Sequence, residues 1–455
     1  MLGGTSQRVP RSEVKPSEAS GGPHDGAPAI FAKGPLATYR AAMEDAHVDF
    51  TPGPRPDWVQ ALHSVADPAW IRLDADELLA EARARSGLSD VGGDDFLEPF
   101  RIFVGALDTE AKLHALGRLI ARSDLSNWLE NRLQLGDWRT RRPGIRDEAI
   151  VGPLFITGLP RSGTSILHEL LAQDSAQRAP LHFEVRHPCP PAAGSDPADD
   201  RVERAERQVQ LWNQIVPEYR VMHELGARLP VECIQITAHS FRSEELMGRH
   251  QVPSYAAWYR GCDLTPAYRF HRQLLQHLQH GSPARRWVLK APSHLPALPT
   301  LFGVYPDARV VVTHRDPLKI LPSVASILYS TAYVRSDAVD PGAMLGWFTG
   351  ETCRALLDGM TAFRASGAVD ARQLFDLRYA ELVARPLETI AALYDHFGLR
   401  LSAEAEGRMR DYLAAKPKGK HGAHRYDFAA TGFVYDAERE RFRAYQEQYG
   451  VSAEV

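Results

Sequence analysis

The chain has 455 residues, 44% hydrophobic and 24% charged, with a formal net charge of −4. This is enough apolar material for a large core and, by length alone, about two to three domains, while the near-neutral balance predicts neither a nucleic-acid partner nor attraction to a membrane surface. No apolar run approaches the ~20 residues of a membrane span and the N-terminus holds no signal-peptide core, so a cytoplasmic protein is expected.

Residues 1–35, rich in Gly, Pro and Ser, read as a flexible tail. Residues 36–147 read as a helical N-terminal region: LDADELLAEARARSGL and KLHALGRLIARSDLSNWLENRL repeat apolar residues at helical spacing, with Asp74 or Asp76 as an N-cap. The string TRRPGIRD then connects to an α/β domain over residues 148–455. The four cysteines, Cys189, Cys233, Cys262 and Cys353, form no CxxC pair, which predicts free thiols rather than a disulfide framework or a zinc site.

The most informative stretch is LFITGLPRSGTSILHELLA, residues 154–172. An apolar strand breaks into a glycine-containing turn and opens a helix, the geometry that cradles anions on unpaired helix N–H groups. Gly158 and Gly163 have the spacing of an NTPase loop, but Thr164 stands where that loop needs its lysine, and Arg161 supplies the positive charge instead. A guanidinium with the hydroxyls of Ser162, Thr164 and Ser165 suits a sulfonate or phosphate bound without an obligatory metal.

Next comes APLHFEVRHP, which holds Glu184 and His182, and then an insertion over residues 188–280. After its turn-rich start the insertion is helical in pattern and rich in aromatics, including Trp212, Tyr255 and Tyr268, and is expected to form a lid over an acceptor pocket. From Trp287 the sequence WVLKAPSHLPALPTLFGVYPDARVVVTHRDPLKILPSVASI gives two further strands, each leading into a helix, so βαβ units and a parallel sheet are predicted. Lys290 follows one strand and Arg315 the other, with Ser323 eight residues beyond Arg315. Ligands in open α/β sheets lie outside the carboxyl ends of the strands, so Arg161, Lys290 and Arg315 are expected at one crevice.

Together the GLPRSGTS loop and the strand-end Arg with its later Ser resemble the PAPS-dependent sulfotransferases, specifically a bacterial branch with a PRSGT loop and an LK[AS]PxHL segment. The resemblance covers the chain from about Ile150 onward. It implies a P-loop-like parallel sheet flanked by helices and 3′-phosphoadenosine 5′-phosphosulfate (PAPS) as cosubstrate. It assigns Arg161, Ser162, Gly163, Thr164 and Ser165 to the 5′-phosphosulfate, and Arg315 and Ser323 to the 3′-phosphate. Lys290 resembles the family's catalytic lysine, and Arg161 would also steady the moving sulfuryl group. For the base, the family uses either a His or a Glu: His294 and Glu184 are the two candidates, with His182 a third. Tyr379, in LRYAELVARPLETIAALYDHFGL, resembles the tyrosine beside the adenine. Lys420 and Arg425, in PKGKHGAHRY, resemble the basic C-terminal loop over the 3′-phosphate, although the family's Arg-Lys-Gly string is absent.

The implied activity is sulfuryl transfer to a hydroxyl of a small-molecule or lipid-like acceptor, with no metal, nucleic acid or integral membrane association. Two other classes share parts of the pattern. A P-loop kinase or NTPase would need a lysine at position 164 and a Mg²⁺-binding carboxylate, for which Asp316 of HRD is the nearest. A non-catalytic nucleotide-binding protein would have no use for Lys290 beside a base. Acceptor identity and oligomeric state have no local signature in the chain.

Overall fold

The computed structural model describes residues 53–191, 199–282, 285–416 and 428–454. The N-terminal part contains α1 (Ala75–Ser86), α2 (Leu97–Thr109) and the long α3 (Ala115–Arg141). Asp74 caps α1 by accepting the Glu77 N–H at 2.9 Å, satisfying one of the donors that a helix start leaves open. These helices share an apolar core, including Phe96, Phe100 and Trp128, with Phe241 and Tyr255 of the insertion.

The remaining elements are β1 (Leu154–Gly158), α4 (Thr164–Leu171), β2 (Gln177–Arg178), α5 (Arg201–Ile215), α6 (Thr265–Gln279), β3 (Arg286–Lys290), β4 (Arg309–His314), α7 (Pro317–Tyr333), β5 (Leu374–Arg378), α8 (Pro386–His396) and α9 (Tyr435–Tyr449), with shorter helices between them. The strands form one parallel sheet in the order β2-β3-β1-β4-β5. Every residue of β1 is buried, as a strand covered on both faces requires. Because side chains alternate along a strand, Leu154 and Ile156 pack with Leu167 and Leu170 of α4, while Phe155 packs on the opposite face with Leu274 and Leu275 of α6. Each such fully buried side chain contributes about 1.5–3 kcal/mol.

The two-residue β2 pairs only with β3 and is too short to show any periodicity in the sequence. Pro386 opens α8, where a missing N–H costs nothing. The chain leaves β1 toward β2 on one side and leaves β4 toward β5 on the other, so the crevice past the ends of these neighbouring strands is a topological switch point. No helix among the described residues is long and apolar enough to cross a membrane.

Candidate functional site

β1 runs straight into the anion loop. Gly158 has φ 142°, and a Cβ there would stand 2.4 Å from the carbonyl and hydroxyl oxygens of Thr313 on β4, so the loop starts where only glycine fits. Arg161 takes the left-handed conformation at φ 65°, an unusual backbone state for a non-glycine residue. Gly163, at φ 92°, is the N-cap of α4 and supplies no capping side chain, so the first-turn N–H groups of α4 receive no cap from it.

The loop hydroxyls divide. The Ser162 hydroxyl was expected to face an anion, but it turns inward: it donates to the Leu159 carbonyl at 2.5 Å and lies 2.6 Å from the Thr313 hydroxyl. The tight turn after Gly158 brings β4 within reach, so this side chain stitches the loop to the sheet. Thr164 is the buried first residue of α4. Ser165 faces the crevice and accepts a hydrogen bond from Lys290 Nζ at 3.2 Å.

Lys290 closes β3 beside Ile156 of β1 in the parallel register. Its ammonium is buried and ion-paired with Glu232, a residue that no sequence motif singled out. Glu232 arrives by a non-local route. The strand-like bridge of Leu181 with Pro230, with hydrogen bonds from Val231 N to Pro180 O at 2.9 Å and His182 N to Leu229 O at 3.1 Å, lays the chain before Glu232 alongside residues 180–182. Burial pushes the Glu232 carboxyl up most, but the Lys290 ammonium and the nearby His223 and His168 together bring the net shift down, so the group is a carboxylate. Below the pair, His168 lies 3.1 Å from the Val288 carbonyl, and burial and Lys290 hold its pKa down to about 3.

Arg315 and Ser323 also come to this crevice. Arg315 Nη1 donates to the Arg161 carbonyl at 2.9 Å, and Arg161 Nε donates to Ser323 Oγ at 3.1 Å, so the loop, β4 and α7 are tied together by their cationic residues. The other edge of the Arg315 guanidinium meets Glu454 through Nε and Nη2, both at 2.8 Å. Tyr379 lies with its ring 4.1 Å from the Arg315 guanidinium carbon and against Gly163, where an added Cβ would be 2.8 Å from the ring. Asp316, the carboxylate a kinase would need for Mg²⁺, is fully buried and accepts from the Leu318 N–H, Arg439 and the Glu454 N–H.

Of the candidate bases, His182 lines the recess at Lys290 and Glu232, while Glu184 and His294 are engaged by other partners. Glu184 accepts from Arg178 at 2.9 Å and from the Leu181 N–H at 3.1 Å, capping its own short helix. His294 is buried, with Nδ1 2.6 Å from the Tyr268 hydroxyl, its ring edge-on to Phe155, and burial driving its pKa well below the ordinary histidine value. His182 is hydrogen-bonded through Nδ1 to Gln235 at 3.0 Å, and burial with Arg186 holds its pKa at about 4. Lys420 and Arg425 lie outside the described residues.

Against known proteins, residues 153–403 match the model of the sulfotransferase family. The omega-hydroxy-beta-dihydromenaquinone-9 sulfotransferase Stf3 of Mycobacterium bovis is 25% identical over 279 residues, covering 58% of this chain and 66% of that protein, just under two thirds of its length. Among solved structures, the sulfotransferase STF1 of Mycobacterium tuberculosis H37Rv superposes with a TM-score of 0.66 at 33% identity, covering 82% of this chain and 100% of that one. The sulfotransferase STF9 of Mycobacterium avium gives a TM-score of 0.74 at 27% identity, covering 84% and 98%.

Proposed function

Because the chain belongs to the sulfotransferase family, we propose that it transfers the sulfuryl group of PAPS to a hydroxyl of a small-molecule or lipid-like acceptor. When bound, PAPS supplies an activated sulfate on a phosphate leaving group. The single observation that carries the reading is the Lys290–Glu232 pair, its buried lysine 3.2 Å from the Ser165 hydroxyl at the mouth of the anion loop.

The residues present fit such a cosubstrate. A carboxylate already sits in the fork of Arg315, so an anion of that geometry is accommodated there, and the 3′-phosphate would take the place of Glu454. The α4 N-terminus and Arg161 would hold the 5′-phosphosulfate. In this proposal Glu232, rather than His294 or Glu184, takes the proton from the acceptor hydroxyl as its oxygen bonds to sulfur. Lys290 stabilises the charge gathering on the oxygen that departs with the 5′-phosphate, and Ser165 fixes the ammonium in position. Bond making and breaking at sulfur then lie in line, with positioning and charge stabilisation doing most of the catalysis.

Stf3 is named for an omega-hydroxy substrate, which is in keeping with a hydroxyl acceptor here. The test is acceptor-dependent conversion of PAPS to 3′-phosphoadenosine 5′-phosphate (PAP) with a mixed panel of alcohols and phenols. Stoichiometric PAP and sulfate ester support the reading, and turnover of ATP in place of PAPS overturns it.

A further inference from the structure

The recess at Lys290 and Glu232 does not end there. His182, Leu225 and Gln235 wall it, and the same three residues line a second cavity of about 320 Å³ between α3, α5 and the chain at Val334 and Arg335. The two spaces share these side chains, two of which, His182 and Gln235, are hydrogen-bonded to each other. The volume is that of a small-molecule site.

The chemistry of the second cavity is divided. Much of its wall is apolar, from Leu116 and Ile120 of α3 to Val209, Trp212 and Ile215 of α5. The rest is a cluster of ions. Asp124 alone serves three guanidiniums, those of Arg186 at 2.7 Å, Arg335 at 3.5 Å and Arg249 at 4.0 Å, and Glu245 pairs with Arg249. Among the lining side chains this leaves three cations against two carboxylates. The lining histidines do not alter the balance, since burial holds His182 at about 4 and His239 at about 3.

Two polar atoms in this wall lack partners. Arg335 is 1% exposed and its Nε has no hydrogen-bond acceptor; Trp212, 9% exposed, has an unpartnered Nε1 and is stacked by the Arg335 and Arg249 guanidiniums at 4.8 and 5.0 Å. An unbalanced cation and two unsatisfied donors in this wall are costly unless an acceptor joins them, and an anionic group would meet both needs.

We propose that this cavity is the acceptor site and that it selects an amphiphilic alcohol bearing an acid group: its hydroxyl reaches Lys290 and Glu232, its apolar body lies along α3 and α5, and its carboxylate meets Arg335 and Trp212. The inference rests on the sulfuryl-transfer reading of Lys290 and Glu232. The carboxylate is a recognition group and does not react, and the hydroxyl proton goes to Glu232.

The experiment measures PAPS turnover with hydroxy carboxylates of increasing length, the hydroxyl at the chain end, each paired with its methyl ester and the matching n-alkanol. A charge-assisted hydrogen bond predicts that the free acid exceeds its ester by about tenfold or more in kcat/KM, with an optimum length. In Arg335→Met the acid-to-ester ratio should fall toward one. Esters or alkanols equal to or better than the acids would overturn the proposal, and the wild-type ratio decides this even if the variant does not fold. PAP binding is measured by calorimetry on the same preparation: PAP bound with no turnover of any acid overturns the acceptor class, whereas no PAP binding overturns the sulfuryl-transfer reading itself.

Discussion

The Arg315 guanidinium and the Glu454 carboxylate form a two-pronged pair, Nε and Nη2 each 2.8 Å from an oxygen, in the place where the 3′-phosphate of the donor is expected. The Glu454 N–H is meanwhile held by Asp316 at 2.8 Å, so the side chain is presented to Arg315 by a fixed backbone. In the proposed reading a bound PAPS would displace this internal carboxylate.

Glu454→Gln should therefore tighten PAP binding. The pair is partly exposed, with the Glu454 side chain 33% accessible, so the gain should be about fivefold, the factor for about 1 kcal/mol. Isothermal titration with PAP checks this, and an unchanged or weaker Kd would mean that Glu454 does not compete for the site.

Lys290→Ala should lower kcat by about 10² to 10³ with little change in the KM for PAPS, because its ammonium acts on charge that develops in the transition state. Glu232→Gln should lower kcat by about 10² to 10⁴, while His294→Gln and Glu184→Gln should not remove the base. Steady-state kinetics of the four variants decides which group takes the proton. A Glu232→Gln enzyme of normal kcat would exclude the assignment.

The pH dependence follows from the same pair. Lys290, with His223 and His168, holds the Glu232 pKa below its ordinary value, so the proton-accepting form persists as pH falls from neutral and is lost only below the usual glutamate range of about 4.3. Acceptor kcat/KM should show no acidic limb between about pH 6 and 7, where an unperturbed histidine would titrate. A limb there that vanished in His294→Gln would transfer the role to His294.

Asp124→Asn should destabilise the fold strongly, since the carboxylate serves Arg186, Arg335 and Arg249 in a buried setting. Burial raises its pKa but the three guanidiniums lower it further, to about 2. A depressed folded-state pKa stabilises the protein at pH above the unfolded value, and that contribution is lost as pH falls through about 2. Denaturant unfolding at neutral pH should show a loss of about 3–5 kcal/mol, shrinking as the pH is lowered.

The parts of the site that were legible in the sequence are local ones. The run at residues 154–172 encodes a strand, a turn and a helix start in consecutive residues, and Lys290 and Arg315 each follow an apolar strand directly. Asp74 marked a helix start for the same reason. Glu232 was not legible because nothing adjacent to it signals chemistry; it depends on the pairing of Leu181 with Pro230, far apart in the chain. Glu454 likewise reaches Arg315 only through tertiary structure. The direction of the Ser162 hydroxyl was not legible either, because a motif fixes the residue type but not the side-chain direction, which Thr313 on β4 influences here.

The measurement that bears most directly on the donor site is thermal unfolding with PAP, ADP and Mg-ATP compared side by side. A ligand at 100 times its Kd adds about 2.7 kcal/mol of stability, so a clear rise in Tm is expected with PAP, little with the others, and a loss of the PAP effect in Arg315→Ala. Stabilisation by Mg-ATP alone, or a PAP effect untouched by Arg315→Ala, would contradict the account.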